Sequence, residues 1–315
     1  MNIGVDIGGT NLVAGLVDDT GRILAAAKTP TRAERGLQPV LDDILRITHS
    51  CVEKAGAEKG TIQSIGVGSP GIVDSRRGLL QYSNNLPFDD TPIAKILGQA
   101  WGLPVYVEND AKCAALGELF AGAAKGAQNA VIVTIGTGIG GGVILNGKLF
   151  SGSGGAGAEI GHMAIVVDGL ECTCGREGCW EAYASALGLR KATQRVMEEN
   201  PQSKMWAICK QDPAQITAQT AFEAAKQGDP AAEELVKWYI RHLSAGIINI
   251  ANIFRPERIC LGGGVANEED AYFLDPIRAQ VKQEVYGYDR CPVQVVKAKL
   301  GNDAGVIGAA FLHRQ

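Results

Sequence analysis

Residues 130–150 read AVIVTIGTGIGGGVILNGKLF. An apolar strand over 130–135 runs into a glycine turn, Gly136 to Gly142, and a second strand follows at 143–145. Asn146-Gly147 is a hairpin signal, so 148–150 reads as the returning strand. No charged residue occurs in the 22 positions from Gly126 to Gly147. That length would suit a membrane span, but the seven glycines and the Asn-Gly turn inside it favour a buried strand–turn–strand. Two nucleotide fingerprints fit here in part. Gly136 to Gly141 matches G-x-G-x-x-G with Glu159 downstream, yet that fingerprint needs a helix next and a strand follows instead. Gly142 to Lys148 matches the start of a phosphate-binding P-loop, but Leu149 occupies the obligatory Ser or Thr position. Both readings are rejected.

The same form opens the chain. A strand at 3–7 ends in Gly8-Gly9-Thr10, and strands at 12–17 and 23–28 follow. Strand, glycine turn and strand occurring twice make a weak internal repeat. Apolar residues recurring at three and four predict a helix over 37–55. With a strand at 62–67, a helix at 93–101, a strand at 105–107 and a helix at 111–121, the first part reads β-β-β-α-β-α-β-α. Helices are expected at 180–199, 217–227, 230–254, 271–285 and 304–314. Strands are expected at 258–261 and 293–297. The mixture is α/β, and 315 residues suggest two domains. We place them at 1–109 plus 301–315 and at 110–300.

Glycine makes up 41 of the 315 residues, about 13%, against a usual ~7%. No Gly-X-Y period appears, and 46% hydrophobic residues exclude bulk disorder. The net charge of −4 comes without a basic block, so no nucleic-acid partner is expected. The start, MNIGVDIGGT, lacks the basic and apolar regions of a signal peptide. A cytoplasmic protein with no membrane partner is therefore expected.

The glycine excess must serve backbone geometry. Gly8-Gly9-Thr10, Gly136 to Gly142 and Gly262-Gly263-Gly264 each end an apolar strand. Glycine removes the Cβ that would keep a phosphate from converging N–H donors. Asp6 precedes the first turn by two residues and could hold Mg²⁺ while the turn meets phosphate. A second cluster gathers His162, Cys172, Cys174 and Cys179. Three thiolates and an imidazole close a tetrahedral zinc site with no open position, which implies a structural role.

Around this cluster, GHMAIVVDGLECTCGREGCWE resembles the signature of the ROK family of repressors, open reading frames and kinases. The resemblance continues through DIGGT, GVGSPGIVD, SNNLPF, VENDAKCAALGE, GTGIGGGVI, AGAEIGH, LGGGV and GNDAGVIGAA, covering nearly the whole chain. The chain opens on its first strand, so a kinase is expected rather than a repressor with a DNA-binding head. The resemblance implies an actin-like, ribonuclease H-like fold, with two domains about a cleft and a structural zinc loop. It implies phosphorylation of a hexose 6-hydroxyl by ATP with Mg²⁺, glucose leading, as in the family's bacterial glucokinases. Fructose, allose or an N-acetylhexosamine such as N-acetylglucosamine or N-acetylmannosamine is the alternative, and a sugar sensor without turnover is a further one.

Carried onto this sequence, Asp110 matches the catalytic base. Its bland reading is a helix N-cap before Ala111. Asn109, Asp110, Glu159, His162 and Glu181 match sugar contacts, with Asn85 and the Gly68 backbone beside them. Asp6, Gly8, Gly9, Thr10, Asn11, Thr137, Gly138, Gly262, Gly263 and Gly264 match the ATP and Mg²⁺ side. Zinc on His162, Cys172, Cys174 and Cys179 would fix the loop that carries Glu159 and Glu181. Asn11 and Lys112 depart from the common pattern, which often has Lys and Asn there. The family also implies a homo-oligomer, a dimer or a tetramer.

Overall fold

The computed structural model describes residues 1–83 and 86–315. β1 (Asn2–Ile7), β2 (Asn11–Val17) and β3 (Ile23–Pro30) form an antiparallel meander. α1 (Leu37–Ala55) lays Val40, Leu41, Ile44, Ile47 and Cys51 into the core, which is the periodicity read from sequence. β4 (Ser64–Ser69) then pairs parallel with β1.

Three short strands follow, β5 (Ile72–Asp74), β6 (Leu79–Tyr82) and β7 (Asp89–Thr91), as a separate antiparallel sheet. Periodicity predicts no strands there, because runs of three and four residues carry too little alternation to stand out. α2 (Ile93–Trp101) leads to β8 (Val105–Asn109), parallel to β4, and to α3 (Asp110–Phe120). The first sheet is therefore ordered β3-β2-β1-β4-β8.

The second half repeats this plan. β9 (Ala130–Ile135), β10 (Ile139–Leu145) and β11 (Lys148–Phe150) come first. β10 starts four residues before the expected 143, so Gly140 to Gly142 lie in the strand and the turn is confined to Gly136–Gly138. A Cβ on Gly142 would lie 2.2 Å from Ala115 Cβ, so the glycine lets β10 lie against α3. α4 (Trp180–Ala184) and α5 (Ala186–Glu199) replace the single helix expected at 180–199. Ser185 breaks it, because its hydroxyl caps α5 by accepting the Gly188 N–H at 3.0 Å.

α6 (Met205–Ile208), α7 (Thr220–Lys226) and α8 (Pro230–Phe254) follow, then β12 (Arg258–Gly262), α9 (Leu274–Glu284), β13 (Gln294–Lys297) and α10 (Ala304–Ala310). The second sheet runs β11-β10-β9-β12-β13, the strand order of the first.

Contacts divide the chain into Met1–Ile132 with Gly142–Ala158 and Ala298–Gln315, and Val133–Gly141 with Glu159–Lys297. The boundary expected after 109 falls within the first unit. Packing of α3 on α10 keeps the following stretch with the first unit. α10, AGVIGAA, is buried throughout. A Cβ on Gly66 would lie 1.7 Å from the Ala309 carbonyl oxygen, and one on Gly308 1.6 Å from that of Cys113. Backbone touches backbone on both faces of this helix, which only glycine permits.

Candidate active site

In the first unit the parallel strands β1, β4 and β8 end in register. Asp6 pairs with Gly68, and Ser69 with Asn109. Ligands of open α/β sheets gather at such carboxyl ends. Asp6 is half-buried, and burial with the Asp110 charge raises its pKa to about 6. Gly305 on α10 leaves room for it, since a Cβ there would sit 2.7 Å from Asp6 Oδ2.

The Gly8–Thr10 turn is closed by Gly8 N–H donating to the Asn11 carbonyl at 2.9 Å, with Gly9 and Thr10 exposed. Thr31 fastens the turn from the end of β3. Its hydroxyl donates to the Gly8 carbonyl at 2.6 Å and its N–H to that of Thr10 at 2.9 Å. Thr31 was missed in sequence because nothing local links positions 8 and 31.

Asp110 is the first residue of α3 and is not its cap. Asn109 is the cap, its Oδ1 accepting from the N–H groups of Ala111 at 3.0 Å and Lys112 at 3.3 Å. Its Nδ2 donates to the Gly71 carbonyl at 3.3 Å. The Asp110 carboxylate accepts from Ala111 N–H at 2.8 Å. Gly68 is buried against Cys113 Sγ, which would lie 3.1 Å from a Cβ there. Asn85 lies outside the described residues.

In the second unit, Ile139 ties the second glycine turn to Glu181, just past the cysteine cluster. Its N–H donates to Glu181 Oε2 at 2.8 Å. Glu181 Oε1 accepts the Thr173 hydroxyl at 3.2 Å. A Cβ on Gly138 would meet Glu181 Oε2 at 2.2 Å, and one on Gly161 the Ile139 carbonyl at 2.2 Å. Glu181 is thus held between the turn and the loop that carries the cysteines. Glu159 is exposed, one helical turn before His162, whose N–H donates to its carbonyl at 3.1 Å. Gly263, at φ +96, closes on Ile135 at the end of β9, where a Cβ would lie 2.1 Å from the carbonyl oxygen. Gly262 is half-buried, and Gly263 and Gly264 are exposed.

His162, Cys172, Cys174 and Cys179 bring their donor atoms within 4.8 Å of one another. Cys174 Sγ is 3.7 Å from Cys179 Sγ, and Cys172 Sγ is 3.7 Å from His162 Nδ1. Tetrahedral zinc with Zn–S bonds of ~2.3 Å sets its sulfurs about 3.8 Å apart, so the donor set fits the metal. Burial pushes the Cys179 thiol up to about 12, a cost that a bound cation would offset by favouring the thiolate.

A cavity of about 490 Å³ in this unit is lined by residues that include Thr137, Gly138, Glu181, Ser185, Lys191 and Arg195. Trp238 adds an apolar wall. Lys191 and Arg195 were missed in sequence. Their spacing of four on α5 is the local signal that two cations share a face.

The ROK family model matches residues 2–315. The chain is 40% identical over 319 residues to a glucokinase of Streptomyces coelicolor, covering 100% of this chain and 98% of that protein. It is 34% identical over 314 residues to a glucokinase of Thermotoga maritima, covering 99% and 97%. Among solved structures it aligns with a ROK family glucokinase from Streptomyces griseus in complex with glucose and AMPPNP. The TM-score is 0.82 at 38% identity, with 100% and 99% of the two chains covered.

Proposed function

This chain belongs to the ROK family, and we propose that it is a glucokinase, transferring the γ-phosphoryl group of ATP to the 6-hydroxyl of glucose. Its two sheets of one strand order belong to the actin-like fold of the sugar kinases. The full-length likeness to the glucose- and AMPPNP-bound Streptomyces griseus enzyme carries the functional reading.

In this reading Asp110 accepts the proton of the 6-hydroxyl. That oxygen bonds to the γ-phosphorus, and the bond from phosphorus to the leaving ADP oxygen breaks. The backbone N–H groups of Gly9, Thr10 and Asn11, of Thr137 and Gly138, and of Gly262 to Gly264 are the donors that would oppose the phosphate charge, while the Gly8 N–H is spent on closing its turn. Mg²⁺, when bound, neutralises charge on the β- and γ-phosphates. Asp6 is the residue that would hold it, and two carboxylates that disfavour each other's charge suit a cation. Asn85, Asn109, Glu159, His162, Glu181 and the Gly68 backbone serve the sugar hydroxyls. His162, Cys172, Cys174 and Cys179 are the residues that would hold zinc, which would clamp the loop beside Glu181. Those thiols need a reducing compartment, so a cytoplasmic protein is part of the proposal. So is a homo-oligomer, dimer or tetramer, which sedimentation measures. Among the described residues no helix is long and apolar enough to cross a membrane.

ADP release over a panel of hexoses and N-acetylhexosamines tests the reading. Glucose is expected to give the highest kcat/KM. A better N-acetylated substrate would move the assignment within the family, and release stimulated by no sugar would overturn it in favour of a sensor.

A further inference from the structure

Lys112 is 2% exposed, and an ammonium is left inside a protein only where it is paired. Its Nζ lies 3.8 Å from Glu108 Oε1 and donates to the carbonyl of Gly155. Glu108 is itself 4% exposed. Its Oε2 accepts the hydroxyls of Ser75 at 3.0 Å and Ser151 at 3.1 Å, and its Oε1 accepts the Asn109 N–H at 2.8 Å.

This buried pair therefore joins two segments. One is the turn from β8 into α3, where the Asn109 side chain caps the helix through the N–H of Lys112 itself. The other is the stretch SGSGGAG, residues 151–157. It is gripped at its start through Ser151 and in its middle through Gly155. The stretch folds back on itself, Gly157 N–H donating to the Ser151 carbonyl at 2.8 Å. Gly155, at φ +80, presses on β5, where a Cβ would lie 2.8 Å from the Val73 carbonyl oxygen. The chain leaves through Ala158 at φ 68 and passes directly to Glu159. An alanine keeps a left-handed backbone only where its surroundings hold it. A stretch with four glycines in seven residues supplies little of that hold by itself.

We propose that Lys112 is a positioning residue for the sugar. With Glu108 it anchors residues 151–158 to the first turn of α3, where the Asn109 cap is made without the Lys112 ammonium, and so sets the path of the chain into Glu159. The proposal rests on the kinase reading for its kinetic consequence, and on geometry alone for the anchor. A contact that orients the sugar in ground and transition state alike moves KM more than kcat.

The tests are Lys112→Met, and Glu108→Gln combined with Lys112→Met. The double variant removes both buried charges, so it keeps the test open where the single variant leaves Glu108 unpaired and fails to fold. Both leave the Gly155 carbonyl without its donor. In each we expect the glucose KM to rise about tenfold or more while the ATP KM and kcat stay within about threefold. Amide exchange over 151–158 should quicken by a similar factor, with α1 unchanged. An unchanged glucose KM, a loss confined to kcat, or recovery of the wild-type KM in the double variant would overturn the proposal. Wild-type chain that phosphorylates no hexose would sink the kinase reading, and wild-type exchange over 151–158 in the variants would separately sink the anchor.

Discussion

Asp110 and Asn109 are neighbours with different work. Asn109 spends its carbonyl oxygen on the cap of α3, which leaves Asp110 at the first helical position, next to the strand ends. Asp110→Asn keeps the size and the helix start but removes the proton acceptor. Turnover should fall by roughly 10²–10⁴, with glucose still binding by calorimetry. Near-normal turnover would remove Asp110 from the role of base. Asp6 offers a second residue-scale test in metal-free protein. Its folded pKa of about 6 lies above the ordinary 3.8. Between those values the folded chain holds a proton that the unfolded chain has released. Stability from this group is therefore greatest below that window, falls as pH rises through it, and is level above it. Carboxyl NMR titration should find this pKa, and Asp110→Asn should bring it down, since the Asp110 charge is the second cause after burial.

Among the elements, the cysteine loop and α10 show two ways of fixing a segment. The loop holds a short 3₁₀ turn, an isolated bridge between Ala164 and Cys179, and the donor cluster. With so little regular structure, a metal is the natural clamp. On the zinc reading, metal analysis should find one zinc per chain, and Cys174→Ser or chelation should remove it and weaken glucose binding about tenfold or more, because Thr173 would no longer hold Glu181. Unchanged binding in metal-free protein would refute that coupling. α10 relies on the absence of side chains instead. Gly308→Ala would drive a Cβ into the Cys113 carbonyl and should cost at least about 3 kcal/mol by urea unfolding. Gly60→Ala, with nothing within 4 Å of the new Cβ, should stay within about 0.5 kcal/mol.

At the scale of the whole molecule, two sheets of one strand order account for the repeated glycine turns. Binding to the folded chain must stabilise it, so glucose at a hundred times its Kd should add about 2.7 kcal/mol, read as a rise in Tm. No shift at saturation would argue against a glucose site. The α/β class, the long helices, the glycine turns, the clustering of His162, Cys172, Cys174 and Cys179, and the family were all legible in the chain order. Those features rest on local periodicity, on turn chemistry and on residue types close in the chain. What most of the glycine excess is for emerges from how the elements pack. Some glycines sit at turns, but Gly66, Gly142 and Gly308 are there because an element packs where a Cβ would stand. The same holds for Thr31 fastening the Gly8–Thr10 turn and for Lys112 buried against Glu108 and Gly155. Each is a contact between residues that the chain order leaves far apart or gives no periodic mark, and packing alone brings them together.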